Sequence, residues 1–310
     1  MGSNIAEQLL KNGKHTVTAI TRPDSTSQFD ARIKVSRVDY SGDDDKALVE
    51  ALREQQVLII TMAVTAPRDT TAKLVRAAAK AGVAYVLPNW YGIDAANNKL
   101  CDESMLSQSR DSITAEINKL GGLSYFLLVC NFWYEFSLGG GPNRYGFDFT
   151  KRSLVLFDGG NVAINTTTWP QCGRAIARLL SLKEFPEDEK DESPTISQFR
   201  NKPVYISSFK LSQKDMFESV KRVTGTTDSD WTITHESAEE RWAGSQVIVK
   251  EGNWSAYTKM LYSRIFIAGS DIEYRSELHN GILDLPVEDL DEATATGIRM
   301  GESGEVAFSH

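Results

Sequence analysis

The amino-acid sequence predicts an α/β fold, with a doubly wound parallel sheet and a smaller α+β lobe. Two observations lead to this prediction. Short apolar segments alternate with amphipathic segments over the first 130 residues, as they do where helices cover both faces of a parallel sheet. After Asn131 this alternation ends, and aromatic residues and glycine-rich turns become dense. A chain of 310 residues, 41% apolar and 25% charged, is sufficient for one large domain or two unequal lobes.

Five apolar segments of the first part have the length and composition of strands. They are residues 16–21, 33–38, 57–61, 84–87 and 124–129. The segments between them carry apolar pairs one helical turn apart, for example Ile5 with Leu9 and Leu74 with Ala78. Gly13 follows the first of these segments, at the place where a left-handed helix C-cap favours glycine. The order of helices and strands is therefore that of a βαβ protein.

The second half of the chain mixes helices with short strands. Residues 153–157 and 162–164 are predicted to form a hairpin around a turn over 158–161. Thr168 is predicted to cap a helix whose first turn contains Pro170. Further predicted elements are a strand over 204–209, a helix after Ser212, and helices through 239–249, 254–268 and 287–298.

Composition excludes several classes of function. The formal net charge of −8 argues against a nucleic-acid surface, which needs clustered Lys and Arg side chains facing phosphates. The sequence has no run of about 18 apolar residues and no apolar leader, so neither a membrane span nor secretion is expected. We expect a soluble, cytoplasmic protein. Neither a Gly-x-Ser-x-Gly elbow nor a phosphate-binding loop ending in Gly-Lys-Ser/Thr occurs.

A metal site is not expected. Cys101, Cys130 and Cys172 are too few and too far apart for a zinc site or a disulfide framework, and we expect reduced thiols. The four histidines lack the spacing of metal ligands.

The first residues combine a glycine, a helix and a strand followed by arginine. Gly2, Ser3 and Asn4 open the helix as the last glycine of a dinucleotide-binding turn does, where N–H groups and the helix N-terminus hold the pyrophosphate. The strand and glycine turn that normally come first have no counterpart in the sequence. A truncated gene model or a processed start is the expected reason, and a cloning scar over Gly2-Ser3 is the alternative.

Arg22 follows the strand over 16–21, where NAD-binding proteins carry an acidic residue for the ribose 2′-hydroxyl. An arginine there can pair its planar guanidinium with a 2′-phosphate, and Thr21 and Ser25 can add hydroxyl donors. The predicted cofactor is therefore NADP(H) rather than NAD(H). A solvated arginine at a strand end is the alternative.

Four stretches of the sequence together indicate a family. They are KHTVTAITR (14–22), PNWYGID (88–94), VCNFWY (129–134) and TWPQCGR (168–174). In this order they resemble the NmrA-like, isoflavone-reductase-like family of atypical short-chain dehydrogenases, and its fungal oxidoreductase-like branch above all. The similarity covers nearly the whole chain and implies a Rossmann-type sheet. Of the family's Gly-x-x-Gly-x-x-Gly motif, Gly2 matches only the third glycine.

Further cofactor contacts are predicted where strands end, because a dinucleotide crosses the carboxyl edge of a parallel sheet. These residues are Met62, Ala63 and Val64 after the strand over 57–61, and Pro88, Asn89 and Trp90 after the strand over 84–87. An ordinary loop start is the alternative for each. Family members often have Ser-Glu-Phe where this chain has Asn89-Trp90-Tyr91. The two larger aromatic residues would enlarge the aromatic wall of the predicted pocket.

The substrate contacts that we predict are mainly aromatic. They are Tyr91, Asn131, Phe132, Trp133, Tyr134 and Tyr145. Aromatic packing between two lobes is the alternative for any one of them.

The catalytic position departs from the family pattern. Family reductases place a lysine just before the isoleucine that Ile113 matches, but this chain has no lysine between Lys99 and Lys119. None of the ten tyrosines has a lysine four residues later, so the ordinary Tyr-x-x-x-Lys pair is absent from the sequence as well. A proton donor must then be Tyr91, Tyr134, Lys99 or a water molecule held by Asn131, and the sequence does not choose among them.

The resemblance implies an NADP-dependent oxidoreductase that transfers hydride to a small aromatic or polyketide-like carbonyl or enone, in fungal secondary metabolism. Residues 1–135 would form the NAD(P)-binding Rossmann domain, and residues 136–310 a substrate-binding lobe with some elements returning to the Rossmann sheet. The missing lysine favours an alternative, a non-catalytic NADP-binding redox sensor of the NmrA type with a protein partner. A nonfunctional fragment is the third reading.

Overall fold

A computed structural model of the chain describes residues 1–42, 44–63, 66–67, 69–269, 274 and 276–306. The helices in this part are α1 Gly2–Asn12, α2 Lys46–Leu52, α3 Thr70–Ala81, α4 Asn98–Glu103, α5 Ser107–Leu120, α6 Tyr134–Leu138, α7 Trp169–Leu179, α8 Gln213–Thr224, α9 Ala238–Lys250, α10 Tyr257–Ile265 and α11 Leu290–Ser303. The strands are β1 Thr18–Thr21, β2 Lys34–Arg37, β3 Val57–Ile59, β4 Tyr85–Leu87, β5 Tyr91–Gly92, β6 Ser124–Val129, β7 Phe132–Trp133, β8 Phe147–Asp148, β9 Ser153–Phe157, β10 Ile164–Thr167, β11 Lys202–Tyr205, β12 Phe209–Leu211 and β13 Thr232–Glu236. None of the helices in these ranges has the length and apolar character needed to cross a membrane.

The main sheet is parallel and has the strand order β11-β6-β4-β3, with β5 paired to the carboxyl end of β6. β1 and β2 form a separate parallel pair. Among the described residues no ladder joins this pair to β3. Both parts nevertheless share two hydrophobic clusters, because Val17 and Val57 pack into one of them and Ile20 and Leu58 into the other.

These two clusters lie on opposite faces of the strands and contain different helices. Ile5 of α1 and Ile176 of α7 belong to the first cluster. Leu48 of α2, Leu74 of α3 and Ile117 of α5 belong to the second. Helices therefore cover both faces of a parallel sheet, and the predicted doubly wound α/β fold is confirmed.

α1 and α7 pack side by side in the same direction. A Cβ atom on Gly173 would lie 2.6 Å from the Asn4 carbonyl oxygen, so only glycine allows this approach near the start of both helices. Near their ends, the Ser181 hydroxyl lies 2.9 Å from His15 Nε2 and 3.2 Å from Asn12 Oδ1. The N-termini of both helices consequently point towards the same end of the sheet.

Two predictions for the second half of the chain were wrong. The strands on either side of residues 158–161 form no hairpin: β9 pairs with β13 and β8, while β10 pairs with β7 and β12. The predicted strand over 204–209 is two strands, because the chain leaves the main sheet after β11 and joins the smaller sheet as β12. In both cases pairing with distant segments overrides the local pattern.

The chain passes from the main sheet into the smaller lobe at Asn131. This residue adopts a left-handed conformation with φ 53°, which Asn tolerates better than most residues, and turns the chain from β6 into β7. Thr168 caps α7 by accepting a hydrogen bond from the Gln171 N–H over 3.1 Å, and Pro170 lies in the first turn, as predicted. The lobe's two small sheets are β12-β10-β7 and β13-β9-β8.

Candidate active site

The carboxyl edge of the main sheet holds several of the predicted cofactor contacts. Asn89, after β4, donates from Nδ2 to the carbonyl oxygen of Met62, after β3, over 3.1 Å. This hydrogen bond ties the ends of the two strands together. Ala63 is exposed beside them and Pro88 is buried, while Val64 lies outside the described residues. The ends of β3 and β4 are therefore held together at the edge where the nicotinamide ring of a dinucleotide could pack.

α1 begins next to the end of β3. A Cβ atom on Gly2 would lie 2.7 Å from Thr61 Oγ1, so a side chain here would displace Thr61. No side chain caps the helix, and the N–H groups of the first-turn residues Gly2, Ser3 and Asn4 have no partners within the helix itself. A free helix N-terminus with its positive dipole end is suited to bind phosphate. This end of α1 therefore fits the pyrophosphate of a dinucleotide.

Two arginines lie at the ends of the paired strands β1 and β2. Arg22 is largely exposed after β1, with Nε 3.9 Å from Asp24 Oδ1. Arg37, the last residue of β2, lies opposite Thr21 in the ladder. Its Nη1 atom donates to the carbonyl oxygen of Ser25 over 2.8 Å, so Arg37 holds the loop that carries Arg22 and Ser25. Sequence analysis missed Arg37, because strand register is not visible in the sequence.

The loop between β1 and β2 borders an open cleft of about 580 Å³. Its walls include Phe29, Val35 and Arg37. This volume lies within the usual range for small-molecule sites, roughly 300–1,000 Å³. The cleft could accept the adenosine half of a dinucleotide whose pyrophosphate lies at α1.

The predicted proton donors Tyr91 and Lys99 lie in different surroundings. The Tyr91 hydroxyl donates to the carbonyl oxygen of Ile60 over 3.0 Å, and burial raises the pKa of this phenol far above its usual range. Lys99 lies on α4 with an exposed side chain. Trp90, between strand and loop, is 8% exposed and donates from Nε1 to the Ile93 carbonyl over 3.1 Å, so it packs into the core.

Tyr134 and Tyr145 lie deep in the smaller lobe, and both are fully buried. The Tyr134 hydroxyl is 2.7 Å from Thr294 Oγ1. The Ser219 hydroxyl is 2.7 Å from the same Thr294 oxygen and donates to the Asp291 carboxylate over 2.6 Å. Burial raises the pKa of both phenols. Tyr134 is therefore fixed in a chain of hydroxyl groups that leads away from the sheet edge.

The remaining predicted substrate contacts lie at the junction between the main sheet and the smaller lobe. Asn131 donates from Nδ2 to the carbonyl oxygen of Asn165 over 2.7 Å. The Phe132 ring lies 4.3 Å from the Tyr262 ring, and the Tyr145 hydroxyl 2.9 Å from Thr166 Oγ1. Their contacts join the end of the main sheet to residues of the smaller lobe.

Trp133 and Trp169 flank a buried carboxyl group that sequence analysis missed. Glu135 is 4% exposed, and its Oε1 accepts a hydrogen bond from the Trp169 N–H at the start of α7 over 2.8 Å. Its Oε2 is buried without a hydrogen-bond partner in the described part of the chain. Burial raises the pKa of Glu135 to about 7. The sequence offered no signal for this carboxyl group, because its burial depends on a helix 34 residues away.

Comparison with known proteins shows similarity to an NAD(P)H-binding family and to an oxidoreductase. Residues 1–116 match the family described as NAD(P)H-binding. The oxidoreductase aprR of Aspergillus flavus is 26% identical over 305 residues, covering 96% of this chain and 94% of that protein.

Solved structures share the fold. An isoflavone reductase has 18% identity and a TM-score of 0.69, with 94% of each chain covered. AtPrR2, solved with NADP⁺ and (+)pinoresinol, has 18% identity and a TM-score of 0.69, covering 95% of this chain and 94% of that one. The quinone oxidoreductase QOR2 of Escherichia coli, solved with NADPH, has 16% identity and a TM-score of 0.63, with 95% of each chain covered. The predicted resemblance is confirmed at the level of the fold and of an NAD(P)H-binding domain.

Proposed function

We propose that this chain is an NADPH-dependent reductase, because residues 1–116 match the NAD(P)H-binding family and the chain shares the fold of an isoflavone reductase. Its substrate would be a small aromatic or polyketide-like carbonyl or enone. The relative from Aspergillus flavus is named an oxidoreductase, which supports this class of reaction, and the resemblance to the fungal branch of the family suggests a role in fungal secondary metabolism. Residues 1–135 would bind the cofactor, and residues 136–310 would bind the substrate.

The observation that carries the proposal is the pair of arginines at the ends of β1 and β2. Arg37 fixes the loop of Arg22 through the Ser25 carbonyl, and the ribose of a dinucleotide would approach these strand ends at the sheet edge. Both arginines present planar donors that match a 2′-phosphate. Asp24 beside Arg22 is exposed, and such surface pairs contribute only about 0–1 kcal/mol. A phosphate would therefore compete with it readily.

The other roles follow from position. The N–H groups of Gly2, Ser3 and Asn4 would hold the pyrophosphate, and the Asn89–Met62 bridge would support the nicotinamide ring. When bound, NADPH supplies the hydride. Phe132 and Asn131 would orient the substrate and keep water away from the reacting carbonyl.

A non-catalytic NADPH sensor is the second candidate. It is favoured by Arg110, near the position of the family lysine. Arg110 donates from Nη1 to the Ala95 carbonyl over 2.7 Å and pairs with Asp111, so it anchors the loop before α4 rather than facing the sheet edge.

One experiment separates the two candidates. NADPH binding is measured by calorimetry, and NADPH oxidation is followed by absorbance with a panel of aromatic ketones, enones and quinones. A reductase binds NADPH and oxidises it with at least one member of the panel. Binding without oxidation by any member would contradict the proposal and favour the sensor. Absence of NADPH binding would contradict both.

A further inference from the structure

A tyrosine from the segment between α10 and α11 lies over the carboxyl end of β11. The Tyr274 hydroxyl donates to the carbonyl oxygen of Ile206 over 3.3 Å. Its ring lies 5.5 Å from the ring of Tyr205, the last residue of β11. The side chain remains partly exposed, unlike Tyr134 and Tyr145, which are fully buried. Tyr274 thus combines a phenol with a position at the sheet edge, and it is less buried than Tyr134 and Tyr145.

The Ile206 carbonyl lies directly beside the end of β6. Thr167 Oγ1 is 2.7 Å from the Cys130 carbonyl oxygen and 3.4 Å from the Ile206 carbonyl oxygen, so one hydroxyl group spans both. Cys130 is followed by Asn131, a candidate substrate contact. Tyr274 is therefore linked through the Ile206 carbonyl and Thr167 to the chain segment that carries Asn131.

We propose that Tyr274 is the proton donor of this reductase and contacts the carbonyl oxygen of an aromatic substrate. The inference rests on the proposed function and adds a residue that neither the family's lysine position nor the Tyr-x-x-x-Lys pattern indicates. The bond to Ile206 is at the long limit for a hydroxyl donor. Turning the hydroxyl towards a substrate carbonyl consequently costs little.

The other phenols and the lysine are less suited to this role. Tyr134 is held at 2.7 Å by Thr294 in a buried network, and Tyr91 is bonded to Ile60 at the end of β3. Lys99 is exposed on α4.

The transfer needs the carbonyl substrate, the hydride that bound NADPH would supply, and a proton. The carbonyl carbon accepts the hydride with its two electrons, the C=O π bond breaks, and the oxygen takes the proton of the Tyr274 hydroxyl. The phenolate that remains recovers a proton from water. Burial raises the pKa of Tyr274 well above its usual range, so the phenol carries its proton at neutral pH.

The test compares wild type with Tyr274→Phe and with the matched control Tyr257→Phe, which removes a phenol that donates to the Ser104 carbonyl over 3.1 Å at the start of α10. Acetophenone and menadione serve as carbonyl probes, and acetophenone binding is measured by tryptophan fluorescence as a readout independent of turnover. Tyr274→Phe should lower kcat for acetophenone by about 10²–10⁴-fold. Its affinity for acetophenone should fall by roughly fivefold to tenfold, as expected for one lost hydrogen bond. NADPH affinity and Tm should stay at wild-type values, and Tyr257→Phe should retain acetophenone turnover.

One result would overturn the role of Tyr274 alone, and a different result would overturn the reductase function as well. If Tyr274→Phe matches wild type in both turnover and acetophenone affinity, Tyr274 is not the donor, while the reductase function stands. If wild type binds NADPH but oxidises it with neither probe, the proposed function fails and the role of Tyr274 fails with it.

Discussion

Replacing Glu135 by glutamine should change how the stability of the protein depends on pH. Burial raises the pKa of Glu135 to about 7 in the folded protein, from an ordinary value of 4.5, and Glu288 nearby acts in the same direction. The folded state therefore holds this proton more tightly than the unfolded state. The resulting stabilisation is complete at pH values below the ordinary pKa and is lost as the pH rises through about 7.

The size of the effect follows from the two pKa values. A difference from 4.5 to about 7 corresponds to about 3 kcal/mol of unfolding free energy. Glutamine keeps a carbonyl acceptor for the Trp169 N–H but carries no charge at any pH. Glu135→Gln should thus match wild type near about pH 4 and exceed it by about 3 kcal/mol near about pH 8. That gain corresponds to a Tm increase of roughly 5 °C or more.

The assay is thermal unfolding of wild type, Glu135→Gln and Glu189→Gln across this pH range. Glu189 is exposed in the loop after α7 and serves as the control, with a pH profile parallel to wild type expected. Parallel profiles for wild type and Glu135→Gln would refute the reasoning, because they would mean that Glu135 ionises without penalty. So would a Glu135→Gln variant that is less stable than wild type at high pH.

Two other substitutions test the cofactor site. Arg22→Ala and Arg37→Ala should each weaken NADPH binding by about tenfold through the loss of charged hydrogen bonds and leave NADH binding nearly unchanged; equal weakening of both cofactors in calorimetry would contradict the 2′-phosphate role. Gly173→Leu should separate α1 from α7, because its Cβ would meet the Asn4 carbonyl, and lower stability by about 1–3 kcal/mol together with NADPH affinity. Its control is Gly244→Ala on α9, where a Cβ meets nothing within 4 Å and a gain of up to about 1 kcal/mol is expected; an unchanged Gly173→Leu protein would refute the close packing of α1 and α7.

The main sheet could be predicted because its signals are local. The strands β1, β2, β3, β4 and β6 and the glycine at Gly13, which ends α1 in a left-handed conformation, depend on neighbouring residues alone. The β9–β13 pairing could not be predicted, because residues 153–157 find their partners about 80 positions later in the chain.

The candidate site was predictable only in part, for a related reason. Gly2 and Arg22 lie in a short motif whose spacing is visible in the sequence. Arg37 joins them through strand register, and Glu135 is defined by its burial against α7. Tyr274 reaches the edge from a segment without helical or strand periodicity. Each of these three contacts arises from tertiary packing, which no local pattern encodes.

The most direct test of the central claim is the consumption of NADPH and NADH by the purified chain in the presence of aromatic ketones, enones and quinones. A reductase with Arg22 and Arg37 at the 2′-phosphate should oxidise NADPH, form the corresponding alcohol, saturated ketone or hydroquinone in equal amount, and prefer NADPH to NADH by at least about tenfold in kcat/KM. Equal use of NADH, or NADPH binding without turnover of any carbonyl compound, would contradict the account.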